Sequence, residues 1–468
     1  MSILDLTISL DDAVADLRSR VTGDVLTERD SDYDVACMGW NLLFRHRPAV
    51  LVVAETAGDV VEAVRFARSG GFRVAVQATG HGAARTADGA VLIVTAKMTD
   101  VVIDAATRTA TVAAGAKWGA VLAPAQEHGL APLLGSTTDV GAIGYTLGGG
   151  MGWLARRYGL ASDSVRSFQL VTPEGELVRA SASENAELFW GLQGGGAGTF
   201  GVVTSMEIDL YPVSTVYAGN LLYPVEMAAE VVARWRDWVA GMDERLTSSV
   251  CIMNFPPLDI VPEPVRGKSF VIVRGCWSGD MLEGEALING WRAWRTPALD
   301  MFGPMPFSMA DTISNDPVDP LPGMITTEWF DSIPAEAIDT IVRAGVPQPG
   351  QMPLVLKTEI RHAGGAVRTN AVHAANDRGR SGEFVLEIVG LAMTADIGAA
   401  LHAQLQAVRA ELAPYVTGAT YLNFTEGAER QQRTPSAFSP EHLRRLQAVK
   451  DAVDSADRFC HGFGVTPR

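Results

Sequence analysis

The chain has 468 residues, 47% of them hydrophobic, so it is long enough for two or three domains of roughly 150 residues and too apolar for a disordered chain. Its 38 basic and 54 acidic residues give a net charge of −16. Because an acidic protein is repelled by phosphate groups, this charge argues against nucleic acid and anionic membranes as partners and favours a small-molecule substrate.

The cysteines and the N-terminal residues indicate a cytoplasmic protein. The four cysteines are far apart and form no CxxC pattern, so neither a disulfide framework nor a zinc site is predicted. The first residues, MSILDLTISLDD, carry acids where a signal peptide carries Lys or Arg. No stretch reaches the ~18 apolar residues of a membrane span. We therefore expect a reduced, cytoplasmic protein.

Hydrophobic spacing in the first half predicts a βαβ unit followed by antiparallel hairpins. A helical lead-in over residues 1–47, with a helix over 11–21, precedes this unit. The predicted strands are 49–53, 73–76, 90–95 and 201–210, the predicted hairpins pair 101–104 with 109–113 and 168–172 with 176–180, and the predicted helices are 58–69, 118–126 and 183–192.

The pattern changes near residue 212 and predicts a second α+β domain over 214–414, a sheet backed by helices. A Pro-, Met- and Phe-rich loop at 296–323 interrupts it. Residues 415–468 predict one Tyr-rich strand and a helix over 439–453. The other predicted elements of this half are strands over 270–274, 354–361 and 384–392 and helices over 333–344 and 397–412.

Three glycine-rich segments lie in the first half of the chain, at 78–82, 135–153 and 194–201. Glycine lets a backbone approach a ligand closely, and successive N–H groups form a nest that holds a pyrophosphate without lysine. One such segment is more often an ordinary turn. Three in one domain favour a bound nucleotide cofactor.

The first glycine segment contains Thr79-Gly80-His81-Gly82 and is followed by a polar turn and a strand. A dinucleotide-binding GxGxxG loop opens a helix instead, so a Rossmann fold is rejected. His81 is either a loop histidine without a special role or a histidine held beside a cofactor. Sequence spacing alone leaves both alternatives open.

The ordered motifs of the chain resemble those of a flavoprotein family. They are TGHG at 79–82, GYTLGGGMGWLARRYGLASD at 144–163 and LFWGLQGGGAGTFGVVT at 188–204. The region from 48 to 213 resembles the FAD domain of the vanillyl-alcohol-oxidase superfamily, and more narrowly that of the berberine-bridge-enzyme-like FAD-linked oxidases. Residues 421–459 are similar to the C-terminal segment of that family.

This resemblance implies an α+β fold with a discontinuous cofactor domain. A PCMH-type FAD-binding domain of two subdomains covers 48–213, and the C-terminal segment 415–468 returns to it. The α+β substrate domain covers 214–414, with an antiparallel sheet backed by helices. FAD is expected between the two domains.

The resemblance also implies FAD attached through one covalent bond. The family histidine that bonds the flavin 8α-methyl group corresponds to His81. Thr137 stands where some members carry a second, cysteine link, and its hydroxyl cannot form a thioether. The run from Gln77 to Gly82 departs from the family's Arg-Ser-Gly-Gly-His-Ser, which keeps non-covalent FAD as the alternative. The implied FAD contacts are Ala78, Thr79, Gly80, His81, Gly82, Ala83, Thr137, Thr138, Val140, Gly141, Gly144, Tyr145, Gly148, Gly149, Gly198, Gly201, Val202, Val203, Tyr421 and Asn423.

Glu359 is a candidate catalytic base. The run 359–366 is similar to a segment that carries a pocket glutamate in several family members. Burial near an apolar flavin would raise the pKa of the Glu359 carboxyl and suit it to proton abstraction. A strand glutamate paired with Lys357 or Arg361 is the equally weighted alternative.

Two tyrosines are further catalytic candidates. Tyr421 is predicted on one strand face with Asn423, where the family often places an oxygen-bearing residue, and Phe424 occupies a position where some relatives have a phenol. In the alternative interpretation, Tyr421 has no catalytic role and either packs on FAD or forms a hydrogen bond in the core. Tyr145 precedes the triple glycine and either touches the flavin or oxygen site or simply packs.

The resemblance implies an oxidase that transfers hydride from a C–H bond of a small organic metabolite to flavin N5, with O₂ as acceptor and H₂O₂ as product. An alcohol, a sugar or an alkaloid-like compound of secondary metabolism is compatible, and the loop at 296–323 favours an aromatic or polycyclic molecule. The alternatives are a dehydrogenase of the same fold, a flavin-binding protein without turnover and an NADPH-fed reductase. No metal is predicted, and the sequence determines neither the substrate nor the oligomeric state.

Overall fold

Three β-sheets organise the part of the chain that the computed structural model describes, residues 9–348 and 350–468 without the side chains of 372 and 373. The fold is α+β, as predicted from the sequence. The predicted helices and strands are present with ends shifted by three residues at most, apart from the exceptions given below.

The first sheet contains the predicted βαβ unit and has the strand order β1-β2-β4-β3. Strands β2, β4 and β3 are parallel, whereas β1 is antiparallel to β2. The lead-in is therefore not purely helical, because its residues 24–26 pair with β2 and extend this sheet. The elements are α1 (Leu10–Arg20), β1 (Asp24–Leu26), α2 (Tyr33–Ala36), β2 (Val50–Val53), α3 (Ala57–Ser69), β3 (Val74–Gln77) and β4 (Val91–Val94).

The second sheet is antiparallel throughout and has the order β5-β6-β9-β7-β8. Helices α4 and α5 are contributed by the chain between β6 and β7, and α5 lies within the second glycine segment. The elements are β5 (Val101–Asp104), β6 (Thr109–Ala113), α4 (Trp118–Gln126), α5 (Ala142–Leu147), α6 (Ala155–Tyr158), β7 (Val165–Val171), β8 (Leu177–Ser181), α7 (Ala186–Gly195) and β9 (Val202–Asp209).

The third sheet has eight antiparallel strands in the order β13-β10-β12-β11-β16-β17-β15, with β14 also paired to β10. The predicted loop at 296–323 thus contains two short strands, β13 and β14, which find hydrogen-bond partners on β10. The elements are β10 (Thr215–Pro224), α8 (Ala228–Val239), β11 (Leu246–Asn254), β12 (Ser269–Trp277), α9 (Met281–Trp294), β13 (Leu299–Asp300), β14 (Gly303–Pro306), β15 (Gly323–Phe330), α10 (Ala335–Gly345), β16 (Val355–His362), α11 (Gly365–Thr369), β17 (Phe384–Leu391) and α12 (Ala395–Leu412).

One face of the third sheet is apolar and the other carries a polar layer. Side chains alternate between the faces of a strand, so Val250 and Ile252 join the apolar cluster formed with α8, α9, α10 and α12, whereas Ser249 points to the opposite face. The strand register places Ser249 opposite both Arg274 and Arg361. Six polar or charged residues share this face, and we call them the polar layer: Ser249, Arg274, Lys357, Glu359, Arg361 and Glu387.

The C-terminal residues contain helices α13 (Gly427–Arg433) and α14 (Pro440–Val453) but not the predicted Tyr-rich strand. Tyr421 precedes a tight turn in which the N–H of Phe424 donates to the Tyr421 carbonyl at 3.1 Å. Because these backbone groups bond within the turn, they do not pair with a neighbouring strand. The strand predicted at this place is wrong.

A buried lysine of α14 connects the C-terminal residues to the third glycine segment. Lys450 Nζ donates to the Thr199 carbonyl at 2.8 Å, to the Phe459 carbonyl at 3.0 Å and to the Asp454 carboxylate at 2.6 Å. Both charged side chains of the pair are almost completely buried. None of the helices in the described residues is both long and apolar enough to cross a lipid bilayer.

Replacing Lys450 by Met is expected to lower the free energy of unfolding by about 3–5 kcal/mol, because it leaves the Asp454 carboxylate buried without its partner. Urea denaturation followed by tryptophan fluorescence measures the loss. The matched control is Lys97→Met, which removes an exposed lysine that bridges Asp24 and Glu55 and should cost about 1 kcal/mol or less. Equal losses in the two variants would contradict the assigned role of Lys450.

Candidate functional site

A cavity of about 820 Å³ lies where the three glycine segments meet the polar layer of the third sheet. Its volume is in the upper part of the range of ligand sites, roughly 300–1,000 Å³. Of the predicted FAD contacts, those that line it are Ala78, Thr79, Gly80, His81, Gly82, Ala83, Thr137, Val140, Gly141, Gly144, Tyr145, Gly198, Gly201, Val203 and Asn423.

The first glycine segment is held against the lead-in by backbone hydrogen bonds. The Trp40 N–H donates to the Thr79 carbonyl at 2.8 Å, and the Asn41 N–H donates to the Gly80 carbonyl at 3.1 Å. Gly80 has a φ of 74°, and a Cβ there would stand 2.5 Å from the Gly39 Cα. Only glycine therefore allows this close pairing, which fixes the position of His81 beside the cavity.

His81 is positioned by two neighbours. Its Nδ1 lies 2.8 Å from the Thr79 hydroxyl oxygen. Its ring stacks on Trp40 at 4.6 Å between centroids and an interplanar angle of 14°. Burial lowers the pKa of His81 to about 4, so the imidazole is neutral near pH 7 and keeps a nucleophilic lone pair. Trp40 was not predicted as a site residue, because a single aromatic residue before the βαβ unit carries no motif.

The second glycine segment packs around the ring of Tyr145. A Cβ at Gly135 or at Gly150 would come within 2.9 Å or 2.4 Å of that ring. The Tyr145 hydroxyl is buried without a hydrogen-bond partner in the described residues, and Tyr145 lines the cavity. Such an orphaned group costs about 1–3 kcal/mol.

The residues present fit FAD. At Gly144 a Cβ would meet no atom within 4 Å, so this backbone faces open space in the cavity. Backbone of all three glycine segments, the neutral imidazole of His81 and the Tyr145 side chain line one volume. These groups suit a large cofactor with ring, hydroxyl and phosphate parts.

Five predicted FAD contacts lie outside the cavity lining. The Thr138 hydroxyl donates to the Asp311 carboxylate at 2.9 Å instead, and Val202 is fully buried within β9. A Cβ at Gly148 would overlap the Asn423 side chain, and a Cβ at Gly149 would stand 3.0 Å from Asn376 Nδ2 and 3.1 Å from Leu160 Cδ1. The fifth is Tyr421.

Tyr421 is a core residue and not a cavity residue. Its side chain is almost fully buried and packs edge-on against Trp329 and Phe424, with ring centroids 6.2 Å and 4.8 Å away. Asn423 Nδ2 lies 3.4 Å from its hydroxyl. Burial raises the pKa of Tyr421 above its usual value. The position of Tyr421 matches the alternative of core packing, and its catalytic role stays a prediction.

Glu359 does not have the raised pKa that was expected of a catalytic base. Its carboxylate accepts hydrogen bonds from Ser249 at 2.7 Å, Arg274 at 3.1 Å and Arg361 at 3.0 Å. These cations outweigh its complete burial and hold the pKa of Glu359 well below the usual range. Glu359 is also not part of the cavity lining. The prediction as a base is corrected to the alternative, an ion-paired strand glutamate.

The cavity floor is formed by the polar-layer residues Lys357, Arg361 and Glu387. Glu387 lies 3.2 Å from both the Lys357 Nζ and the Arg361 guanidinium. The Arg361 guanidinium also stands 4.8 Å over the ring of Phe424. Opposite charges therefore compensate one another along the floor.

Glu426 and Arg430 are two further ionisable residues of the site that sequence reasoning missed. Asn41 Nδ2 donates to the Glu426 carboxyl at 2.6 Å. Glu426 faces the cavity but is shielded from bulk water, and this burial raises its pKa to about 8. Arg430 donates to the Leu422 carbonyl at 3.1 Å and lies under Gly82, and burial lowers its pKa to about 10. Their four-residue spacing at the start of α13 was the available signal.

The raised pKa of Glu426 predicts a specific dependence of stability on pH. An unfolded glutamate ionises near pH ~4.3, so the stabilisation by the neutral carboxyl is complete below this pH and is lost as the pH rises through about 8. Glu426→Gln cannot ionise, and its free energy of unfolding should fall less than that of the wild type between about pH 5 and 8.5. Urea titrations across this range measure the difference. The exposed Glu441→Gln serves as control and should parallel the wild type.

The chain matches known FAD-linked proteins. The FAD binding domain family matches residues 48–181. The (R)-6-hydroxynicotine oxidase of Paenarthrobacter nicotinovorans is 28% identical over 465 residues, which are 96% of this chain and 97% of that protein. An FAD-linked oxidoreductase of Dictyostelium discoideum is 25% identical over 431 residues, which are 92% of this chain and 91% of that protein.

Solved structures have the same fold. The crystal structure of 6-hydroxy-D-nicotine oxidase from Arthrobacter nicotinovorans superposes with a TM-score of 0.80 and 25% identity, over 96% of this chain and 98% of the other. Berberine bridge enzyme from Eschscholzia californica superposes with a TM-score of 0.81 and 18% identity, over 98% of this chain and 99% of the other. The chain is therefore an FAD-dependent oxidoreductase with an FAD binding domain and the fold of 6-hydroxynicotine oxidase and berberine bridge enzyme.

Proposed function

We propose that this protein is an FAD-dependent oxidase that acts on a small organic metabolite and uses O₂ as electron acceptor. The observation that carries the proposal is the convergence of the three glycine segments, His81 and the polar layer on one cavity. FAD supplies the acceptor for a hydride from a substrate C–H bond, and its reoxidation by O₂ yields H₂O₂. Relatives named as oxidases support this reaction type.

His81 is the proposed attachment site of FAD. Its imidazole is neutral, is oriented by Thr79 and Trp40, and lies on the cavity wall. Thr137 also lines the cavity, and a hydroxyl at this position does not offer the thiolate that a second bond would need. One covalent bond is therefore proposed.

The side chains of the cavity favour an amphipathic substrate. Lys357, Arg361 and Glu387 give a polar floor, and apolar side chains of β11, β15, β17 and the loop after β11 give walls. An apolar body with one polar end satisfies both surfaces. Alcohols, sugars and alkaloid-like compounds are the proposed classes, with aromatic or polycyclic members favoured by the apolar wall residues Met253, Phe255, Leu258, Ile260, Val261, Ile325, Val389 and Leu391.

A dehydrogenase is the second candidate, because this fold supports both reaction types. A single-residue variant of berberine bridge enzyme is a reticuline dehydrogenase, and a single-residue variant of Phl p 4 is a glucose dehydrogenase. Both proteins share the fold of this chain at TM-scores of 0.82 and 0.81. Reaction of the reduced protein with air separates the two candidates.

The purified protein is reduced anaerobically and then mixed with air. We expect it to regain its flavin absorption at about 450 nm within seconds and to release H₂O₂. A peroxidase-coupled assay measures the product in the same sample. Reoxidation over many minutes, together with rapid reoxidation by an artificial dye, would contradict the oxidase and favour the dehydrogenase. A screen of metabolites for bleaching of the same band identifies substrates.

The proposed covalent bond predicts that the denatured protein band is fluorescent after electrophoresis in acid. His81→Ala should lose this fluorescence completely because no nucleophile remains at the attachment site. The control His128→Ala removes an exposed histidine outside the cavity and should keep it. Fluorescence that persists in His81→Ala would refute attachment through this residue, and its absence from the wild type would indicate non-covalent FAD.

A further inference from the structure

The polar layer contains one cation whose hydrogen-bonding capacity is unused. Lys357 Nζ lies 3.2 Å from a Glu387 oxygen, 3.6 Å from a Glu359 oxygen and 3.9 Å from an Asp316 oxygen. None of these contacts has the distance and direction of a hydrogen bond in the described part of the chain. An ammonium group has three donors, and Lys357 lines the cavity. Its donors are thus available to a ligand in the cavity.

The neighbouring cations differ from Lys357 in this respect. Arg361 donates to Glu359 at 3.0 Å and to Glu387 at 3.2 Å. Arg274 donates to Glu359 at 3.1 Å and is buried behind the cavity floor. Both arginines are used to neutralise the layer. Lys357 differs from both arginines: it lies close to carboxylates, but its N–H groups form no hydrogen bond with them among the described residues.

The charges around Lys357 are balanced. The layer has three cations, Arg274, Lys357 and Arg361, and two carboxylates, Glu359 and Glu387. Asp316, which accepts a hydrogen bond from the Ser136 hydroxyl at 2.7 Å, brings a third carboxylate to the cavity wall. Of these six groups, Lys357, Arg361, Glu387 and Asp316 line the cavity, so a bound anion would meet two carboxylates and a bound cation would meet two cations. A neutral ligand avoids both repulsions, since an uncompensated charge in a buried site is costly.

We propose that Lys357 determines specificity by donating a hydrogen bond to a neutral oxygen acceptor, such as a carbonyl oxygen, at the polar end of the substrate. This inference rests on the proposed function for the presence of a substrate in the cavity, and it adds the charge and the polar group of that substrate. The apolar walls at Phe255 and Val261 contact the remainder of the molecule. Lys357 binds and orients the substrate and takes no part in proton transfer.

The proposal is tested by calorimetric titration of the FAD-loaded protein with three probes of one size. Benzamide carries a neutral carbonyl oxygen, benzoate an anion and benzylamine a cation. We expect the wild type to bind benzamide at least about tenfold more tightly than either charged probe. Lys357→Met should weaken benzamide binding by about tenfold or more, the factor of one charge-assisted hydrogen bond, and should leave its weak binding of benzylamine unchanged or improved.

Two further variants keep the test decisive. Lys357→Met combined with Glu387→Gln removes one charge of each sign, so it preserves the balance of the layer if the single variant folds poorly, and it should lose benzamide binding equally. Lys268→Met changes an exposed lysine that bonds the Pro264 carbonyl and should behave as the wild type.

Several results would overturn the proposal. They are tighter binding of benzoate or benzylamine than of benzamide, an unchanged benzamide affinity in both Lys357 variants, and no measurable binding of benzamide to the wild type. The flavin content and O₂ uptake of each sample are measured separately. A wild-type protein that binds benzamide selectively but shows no O₂ uptake with any substrate would refute the proposed oxidase function. The role of Lys357 in binding would remain supported.

Discussion

Burial of charge is the constraint on which the site depends. The third sheet has to present an apolar face to its helices, and strand alternation then places charged residues of β12, β16 and β17, with Ser249 of β11, on the other face. Each of these charges would be costly alone, so their positions have to match across the strands. Glu359 and Glu387 stand opposite each other, and this like-charged pair is tolerable because Lys357 and Arg361 contact both.

Compensation within the layer also determines which groups remain for chemistry. Glu359 is committed to its cations, and its carboxylate stays ionised. Lys357 supplies charge, but its contacts with Glu359 and Glu387 do not have the direction of hydrogen bonds, and no other carboxylate of the described residues accepts one from it. Glu426, across the cavity, has no cation within ion-pair distance among the described residues and has a raised pKa. The titration and hydrogen-bonding properties of these groups follow from their pairing and not from their residue type.

The cofactor side of the cavity depends on close approach of backbones from distant parts of the chain. Gly80 and Gly39 pack too closely for any side chain, and this contact brings Trp40 onto the ring of His81. Asn41 then connects the same stretch to Glu426 in the C-terminal residues. The lead-in and the C-terminal residues thus act together as supports of the first glycine segment.

The sequence by itself determined the local structure and the cofactor side of the site. Helix and strand periods depend on neighbouring residues, so these elements could be predicted. The glycine segments indicated a cofactor cavity, and the resemblance of the ordered motifs to a flavoprotein family implied FAD and a place for His81 beside it. The pKa of Glu359, the core position of Tyr421 and the partners of Glu426 were decided only by the tertiary structure. They depend on strand register and on contacts between residues hundreds of positions apart, and because electrostatic and packing energies act through space, no local pattern contains them.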